Sequence, residues 1–171
     1  MKKLAIIING KPESGKDFLC DAVIKARKAQ KYSSIKPIHR IAKAGGWDGV
    51  KDPAGRKLLS DLKHAFSEYN DLPNRAALES YRAFLRGRNE LLFVHIREPE
   101  QIAAFRRAAG ATVTLLIRRP GTGVLQGNTS DDGVEGFPYD ETYDNVKTAE
   151  DAERDFCAFI DGLFEKYARE A

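Results

Sequence analysis

The sequence predicts one α/β domain, in which a parallel β-sheet lies between two layers of helices. Residues 4–8, 91–96 and 112–117 are continuous apolar runs rich in branched side chains, typical of strands buried on both faces. Segments with apolar residues at helical spacing alternate with these runs, which favours parallel strands joined by right-handed crossovers. A length of 171 residues fits a single domain with a sizeable core.

Composition limits the classes of function. The chain is 42% hydrophobic and 31% charged, with a formal net charge of +3 and basic residues spread along its length. This charge is too small and too dispersed to indicate a nucleic-acid polymer as partner, but it suits phosphorylated ligands. The two cysteines lie in apolar helical patterns and are predicted to be buried thiols.

The lengths of the apolar runs also indicate whether the chain enters a membrane or a secretion pathway. No run approaches the roughly 20 apolar residues that span a membrane. The basic start Met1-Lys2-Lys3 looks superficially like that of a signal peptide, but the apolar run after it, residues 4–8, is too short and ends in a polar loop. We therefore expect a cytoplasmic protein without a membrane partner.

The first half of the chain predicts two strands, a loop and four helices. A polar loop follows the first strand, and a helix follows that loop. Residues 32–35 predict a short second strand, and Lys36-Pro37 begins a short helix that ends at Gly45-Gly46. Asp52-Pro53 predicts the capped start of a longer helix. The apolar stripe of that helix is Leu58, Leu59, Leu62, Phe66 and Tyr69, and a further helix follows a break near residues 70–73.

The second half predicts three strands, two helices and a long loop. Glu98-Pro99 opens a helix that Gly110 closes. Residues 118–140 are polar, rich in glycine and without periodicity, and loops of this length are often functional lids. Residues 143–146 predict a short last strand. Thr148 is expected to cap the final helix, with Asp151 at the reciprocal capping position.

The loop after the first strand carries the clearest chemical signal. It reads Gly10-Lys11-Pro12-Glu13-Ser14-Gly15-Lys16-Asp17 and matches the pattern G-x-x-x-x-G-K. Glycines let successive backbone N–H groups point at anionic oxygens, and the helix N-terminus favours phosphate. Lys16 is placed to reach the β- and γ-phosphates. The buried strand before the loop and the helix after it supply the required context, so we expect a nucleoside triphosphate here.

Asp17 stands where Ser or Thr is usual in this pattern. A hydroxyl there normally coordinates Mg²⁺, and a carboxylate can do the same because Mg²⁺ prefers oxygen ligands. The alternative is that Asp17 only stabilises the first turn of its helix. Ser14 is a candidate to give a hydroxyl to the phosphates.

Residues 10–18 resemble the loops of two kinase families, animal-type phosphomevalonate kinase and phage-type deoxynucleoside monophosphate kinase. These families share a G-K-x-x-S-G-K-D core with the same unusual aspartate. Residues 91–110 are similar to the families' third strand and following helix. Residues 131–135 and 143–146 resemble their lid and last strand. The likeness covers about half of the chain, and only the loop is a specific motif.

The resemblance implies a three-layer P-loop NTPase fold of the nucleoside monophosphate kinase superfamily, with a five-stranded parallel sheet flanked by helices. Residues 36–90 would form a helical acceptor-binding region and residues 118–140 a lid loop. The implied reaction transfers the γ-phosphoryl group of ATP, with Mg²⁺, to a small phosphorylated acceptor such as a (deoxy)nucleoside monophosphate. The expected nucleotide contacts are Gly10, Lys11, Pro12, Glu13, Ser14, Gly15, Lys16, Asp17 and Phe18, with Asp17 at the metal.

Catalysis of phosphoryl transfer needs positioning and positive charge. Lys16 and Arg97 are the first candidates, since Arg97 follows a strand at the edge that faces ligands in open α/β sheets. In the resembled families an arginine there contacts the acceptor, although Arg97 could instead pair with Glu98 or Glu100. Arg118 and Arg119 open the long loop, and one of them is expected to close onto the phosphoryl group.

Acceptor binding is predicted on the helices of residues 36–90. Arg56 lies where the resembled families have an acceptor-binding arginine, and Lys63 is on the same helix face. Lys36 and Arg40 line a second possible face. The alternative for Arg56 is an ordinary solvated helix surface.

One position departs from the resembled families. They carry an aspartate that organises Mg²⁺ on the strand where this chain has His95. Either Asp17 or Glu98 takes over that role, or the chain binds nucleotide without transferring phosphate, as a sensor or scaffold. The guanine motif N-K-x-D of GTPases is absent, since Asn145-Val146-Lys147 does not match it.

Overall fold

Five parallel strands and one short antiparallel strand form the sheet in the computed structural model, which describes residues 1–121 and 133–170. The strands are β1 (Lys2–Asn9), β2 (Ala29–Ser33), β3 (Leu91–His95), β4 (Val113–Arg118), β5 (Glu141–Asp144) and β6 (Arg169–Glu170). The parallel strands lie in the order β2-β3-β1-β4-β5. The two-residue β6 pairs antiparallel with the start of β1. The predicted fold class, with five parallel strands, is confirmed.

Helices cover both faces of this sheet. They are α1 (Lys16–Ala26), α2 (Lys36–Ala44), α3 (Pro53–Asn70), α4 (Leu72–Arg86), α5 (Pro99–Ala109) and α6 (Ala149–Tyr167). Asp52 caps α3 as predicted, because its carboxylate accepts a hydrogen bond of 2.7 Å from the Gly55 N–H. Thr148 donates from its hydroxyl to the Asp151 carboxylate at 3.1 Å, rather than capping α6 with its side chain.

The alternation of side chains along the strands divides the core into two layers. Leu4, Ile6 and Ile8 of β1 face one layer, which α1 and α6 cover. Ala5 and Ile7 face the other layer, which α4 and α5 cover. Because the strands are buried on both faces, their apolar runs are continuous, and this made β1, β3 and β4 predictable.

Helix α3 buries fewer of its apolar side chains than the sequence pattern indicated. Leu59 of α3 is buried against Ile38 and Ala42 of α2. Leu58 and Tyr69, which were expected on the same apolar stripe, are 39% and 82% exposed. α3 contacts its neighbours along one narrow side, so these two predictions are wrong.

The edge strands also differ from expectation. β2 was predicted at residues 32–35 and lies at 29–33, while β5 was predicted at 143–146 and lies at 141–144. Both strands carry mainly polar residues, and only Ala29 of β2 and Tyr143 of β5 are buried. An edge strand buries few side chains, so its apolar signal is weak and its boundaries shift.

In the described part of the chain, no helix combines the length and the apolar character needed to cross a membrane.

The lysine at the start of β1 has a structural role that its sequence context hid. Lys3 is 7% exposed, and its Nζ donates hydrogen bonds of 2.7–2.9 Å to the carbonyls of Phe84, Gly87 and Asn89. The same ammonium lies 4.7 Å from the centre of the Phe84 ring. It therefore satisfies carbonyl groups around the C-terminus of α4, where the helix dipole favours a cation.

We predict that Lys3→Met lowers the free energy of unfolding by about 3 kcal/mol, because it removes three charge-assisted hydrogen bonds and leaves buried carbonyls unpaired. Urea denaturation measures this difference. Lys2→Met is the matched control, since Lys2 is exposed on the same strand. Equal stability of the two variants would contradict this role of Lys3.

Candidate active site

The carboxyl ends of all five parallel strands meet at one edge of the sheet, and most of the predicted site residues follow them. The connection after β1 runs towards the β2 edge of the sheet, whereas the connection after β3 crosses β1 towards β4, so these two neighbouring strands have connections that leave in opposite directions. Ligands of open α/β sheets bind in the crevice at such a switch point. Residues 10–17, which carry the G-x-x-x-x-G-K pattern and are called the phosphate-loop sequence, follow β1. Arg97 follows β3, and Arg119 follows β4.

Residues 10–15 form a tight loop that leads from β1 into α1. Glu13 and Gly15 have left-handed φ angles of 64° and 84°, and the Ser14 N–H donates to the Lys11 carbonyl at 3.2 Å. Gly15 is the N-cap of α1 and has no side chain to cap the first turn. The loop therefore presents the N-terminus of an 11-residue helix at the crevice, a position that favours an anion.

Two glycines of this loop are required by close packing. A Cβ atom on Gly10 would lie 2.6 Å from the Ile117 carbonyl oxygen and 2.7 Å from the Ser14 Oγ. A Cβ atom on Gly15 would lie 2.6 Å from the Asn145 Nδ2. The loop is thus pressed against the ends of β4 and β5, and larger residues at either position would displace it.

Asn9, the last residue of β1, organises the site and was missed in the sequence. Its side chain is 2% exposed, and its Oδ1 accepts from the Gly10 N–H at 2.8 Å. Its Nδ2 donates to the Arg97 carbonyl and to the Tyr139 hydroxyl, both at 2.9 Å. The Tyr139 hydroxyl donates in turn to the Val134 carbonyl at 2.8 Å. A polar residue directly after a buried apolar run was the available signal.

Asn145 contacts the other side of the loop, a role that was not predicted from its expected place in the last strand and outside the guanine motif. It is 5% exposed, and its Nδ2 donates to the Ser14 carbonyl at 3.0 Å. Its backbone N–H donates to the Arg118 carbonyl at 2.7 Å. The end of β5 is therefore tied directly to the phosphate-loop sequence.

His95 faces Asp17, the residue that departs from the usual loop pattern. Leu91, Phe93 and His95 alternate along β3, so the imidazole lies on the sheet face that packs against α1. The His95 Nδ1 is 3.8 Å from the Asp17 Oδ1, and the two side chains are 12% and 71% exposed. The structure thus brings together two residues that the sequence singled out separately.

Burial lowers the pKa of His95 to about 4, with further lowering by the nearby Lys16 and Lys31 ammonium groups. The carboxylates of Asp17 and Asp21 act in the opposite direction but do not outweigh burial. The Nε2 is buried without a hydrogen-bond partner in the described residues. The imidazole is therefore neutral at pH 7.

The basic residues predicted for catalysis have distinct surroundings. The Arg118 guanidinium makes two hydrogen bonds to the Asp144 carboxylate, at 2.7 and 3.0 Å, and this pairing raises the pKa of Arg118. Arg118 thereby bridges the ends of β4 and β5 on an exposed surface. Arg119 is also exposed, directly beyond β4, while Arg97 is half-buried and Lys16 begins α1.

The predicted acceptor-binding residues lie on two helices. Lys63 of α3 forms an ion pair with Glu98, which follows β3, so its charge is largely balanced. Arg56 is exposed at the start of α3 and donates from Nε to the Lys51 carbonyl at 2.8 Å. The Lys36 ammonium lies 5.7 Å from the centre of the Tyr32 ring. Burial raises the pKa of Tyr32, and the exposed Arg40 only partly opposes that rise.

The predicted lid is described only at its two ends. Residues 122–132, including Asp131 and Asp132 of the resembled lid segment, lie outside the described residues. On the far side, the Glu135 carboxylate forms an ion pair of 3.2 Å with the Lys11 ammonium of the phosphate-loop sequence. Phe18, expected among the nucleotide contacts, is 43% exposed near the start of α1.

A divalent cation beside bound phosphates would have one oxygen ligand and one nitrogen ligand available, from Asp17 and His95. Among the described residues, no group of three or more His, Cys, Asp and Glu side chains is arranged to hold a metal ion by itself. Asp17 offers carboxylate oxygens, but the neighbouring group is the His95 imidazole. The two side chains do not form the all-oxygen set that Mg²⁺ selects.

Comparisons with known proteins identify the architecture. No protein-family model matches the chain, and no curated protein sequence resembles it significantly. Solved structures do resemble it, among them those of three kinases. A sugar kinase from Janibacter sp. HTCC2649 is 11% identical with a TM-score of 0.56, covering 93% of this chain and 95% of that one. The chain has the fold of P-loop kinases.

The other two structures agree with this architecture. A gluconokinase from Sinorhizobium meliloti 1021 is 13% identical with a TM-score of 0.51, covering 95% of this chain and 94% of that one. A shikimate kinase from Acinetobacter baumannii, in complex with shikimate, is 12% identical with a TM-score of 0.51, covering 96% and 94%. At these identities the likeness establishes the fold. The finer resemblance to deoxynucleoside monophosphate and phosphomevalonate kinases stays a prediction.

The depressed pKa of His95 predicts a pH dependence of stability for the protein without ligands. The unfolded chain binds a proton at this residue near pH 6.5, whereas the folded chain does so only near pH 4. Stability from this residue is therefore complete above pH 6.5 and is lost as the pH falls towards 4. A shift of this size corresponds to about 3 kcal/mol.

His95→Asn is the variant that tests this prediction, because it keeps a polar side chain and removes the titration. Urea denaturation between pH 4 and 7 should show wild type losing more stability than the variant as the solution is acidified. Parallel curves for the two proteins would contradict a buried neutral imidazole.

Proposed function

We propose that this protein is an ATP-dependent kinase of a small molecule, which transfers the γ-phosphoryl group to a phosphorylated acceptor such as a (deoxy)nucleoside monophosphate. The observation that carries the proposal is the glycine loop at the carboxyl end of the central strand, closed against β4 and β5 and leading into α1. The similarity of the whole fold to structures named as a sugar kinase, a gluconokinase and a shikimate kinase supports phosphoryl transfer to a small molecule.

The triphosphate would bind along the loop of residues 10–17. Backbone N–H groups at the start of α1 would donate to its oxygens, and Lys16 would reach the β- and γ-phosphates. Ser14 Oγ is buried in the loop without a hydrogen-bond partner among the described residues, so it is a polar group suited to a phosphate oxygen. A divalent cation would accompany the phosphates at Asp17.

The acceptor would bind in the crevice between the carboxyl end of β3 and the helical region of residues 36–90. Arg97 and Arg56 are proposed to hold its phosphate, with Lys36, Arg40 and Lys63 as further sources of positive charge. Arg118 or Arg119, at the start of the lid segment 118–140, would stabilise the transferring phosphoryl group. A general base is not required, because an acceptor phosphate is already ionised and transfer depends on positioning and charge.

A non-catalytic nucleotide-binding protein is the second candidate function. The observation that favours it is His95, a neutral imidazole in the place where the resembled families carry a carboxylate for Mg²⁺. A sensor or scaffold of this kind would bind ATP at the same loop without releasing ADP.

We predict that one or more phosphorylated acceptors stimulate ADP release by the wild-type protein in the presence of ATP and a divalent cation. The panel holds the common nucleoside and deoxynucleoside monophosphates and phosphomevalonate, and each reaction is run with Mg²⁺ and with Mn²⁺. Lys16→Ala should reduce the rate on the order of a hundredfold, because it removes a cation from the transferring phosphates.

Lys25→Ala is the matched control, since Lys25 is exposed in the last turn of the same helix. Full activity of Lys16→Ala would contradict the proposed site. ATP binding without ADP release under every condition would favour the second candidate function.

We further predict that Arg56→Ala raises the KM for the acceptor about tenfold or more, through loss of a charge-assisted contact to its phosphate, and leaves the KM for ATP unchanged. Lys57→Ala is the control, because Lys57 is the next residue and pairs with Asp61 on the helix surface. Steady-state kinetics with the active acceptor separates the two constants. An equal effect of both substitutions would remove Arg56 from the acceptor site.

A further inference from the structure

The metal-binding chemistry beside the phosphate loop is set by two side chains of different type. The Asp17 carboxylate supplies oxygen and the His95 imidazole supplies nitrogen, with Oδ1 and Nδ1 3.8 Å apart. The Lys16 ammonium of the loop is close enough to His95 to lower the pKa of its imidazole further, beyond the effect of burial. This donor pair therefore lies where the cation of a bound nucleotide would be.

The identity of the two donors selects between classes of divalent ion. Mg²⁺ is a hard cation that takes oxygen ligands in a near-ideal octahedron. Imidazole suits the first-row transition metals, whose affinity for a given site rises from Mn²⁺ through Fe²⁺, Co²⁺ and Ni²⁺. An imidazole in place of a carboxylate therefore lowers the expected affinity of the site for Mg²⁺ relative to its affinity for these transition metals.

The geometry allows both side chains to bind one ion. Two ligands at right angles, each about 2.1 Å from a shared ion, are roughly 3 Å apart. The observed 3.8 Å is slightly larger, and the 71% exposed Asp17 side chain has room to rotate towards His95. His95 is fixed by its strand and by burial, so it forms the rigid half of the pair.

We propose that the cation accompanying the nucleotide is a first-row transition metal held by Asp17 and His95, with Mg²⁺ disfavoured. Phosphate oxygens and water would complete the coordination. The inference rests on the proposed nucleotide site, but it assigns a metal preference that distinguishes this chain from the Mg²⁺-dependent families it resembles.

The first test compares metal preference between variants. Calorimetry measures binding of a non-hydrolysable ATP analogue with Co²⁺ and with Mg²⁺, to wild type and to His95→Asp. The intrinsic affinity of each ion for the nucleotide is the same in both proteins, so it cancels when the Co²⁺-to-Mg²⁺ ratios are compared. We expect the ratio to fall on the order of tenfold or more in His95→Asp, as for loss of a metal-orienting group.

The second test uses only the wild-type protein and remains decisive if His95→Asp does not fold. Mn²⁺ and the same analogue are bound to protein carrying ¹⁴N-histidine or ¹⁵N-histidine, and pulsed electron paramagnetic resonance detects nitrogen coupled to the ion. A signal that changes with the histidine isotope is expected. His95 is the histidine beside the loop, since His39 and His64 lie on α2 and α3.

The outcomes separate this inference from the proposed function. A metal ratio that is unchanged in a folded His95→Asp, or a Mn²⁺ complex without histidine coupling, would overturn the metal assignment and leave the nucleotide site intact. Failure of the analogue to bind wild type with any of these ions would overturn both.

Discussion

The buried side chain of Asn9 is the interaction on which the rest of the site depends. The Asn9 amide group makes hydrogen bonds with the Gly10 N–H, with the Arg97 carbonyl after β3 and with the Tyr139 hydroxyl before β5. These three parts of the chain converge because β1 is flanked by β3 and β4 at the switch point of the sheet. A buried amide with these partners costs little, whereas an unpaired one would be strongly destabilising.

The sequence predicted those parts of the molecule whose physical causes are local. Continuous apolar runs marked β1, β3 and β4, and the glycine pattern marked a loop whose Gly10 and Gly15 leave no space for a Cβ atom. The polar edge strands β2 and β5 were shifted because few of their side chains are buried. β6 was missed because a two-residue strand is defined only by its pairing with β1.

The supporting residues of the site were hidden because their roles depend on long-range contacts. Asn145 acts on a loop about 130 residues away in the sequence and matched no motif. Lys3 looked like part of a basic N-terminus, yet it binds carbonyls around the end of α4. His95 was recognised as a departure from the resembled families, but only the register of β3 showed that it faces Asp17. That pairing places an imidazole nitrogen beside the Asp17 carboxylate, at the position where the resembled families carry an aspartate.

The proposed binding of nucleotide phosphates by residues 10–17 is tested by the change in backbone amide chemical shifts on adding a non-hydrolysable ATP analogue to ¹⁵N-labelled protein. We expect the largest changes at the amides of Gly15, Lys16 and Asp17, with smaller ones at Asn145 and Arg97. Changes concentrated elsewhere, for example around Arg154 on α6, would contradict the proposed binding.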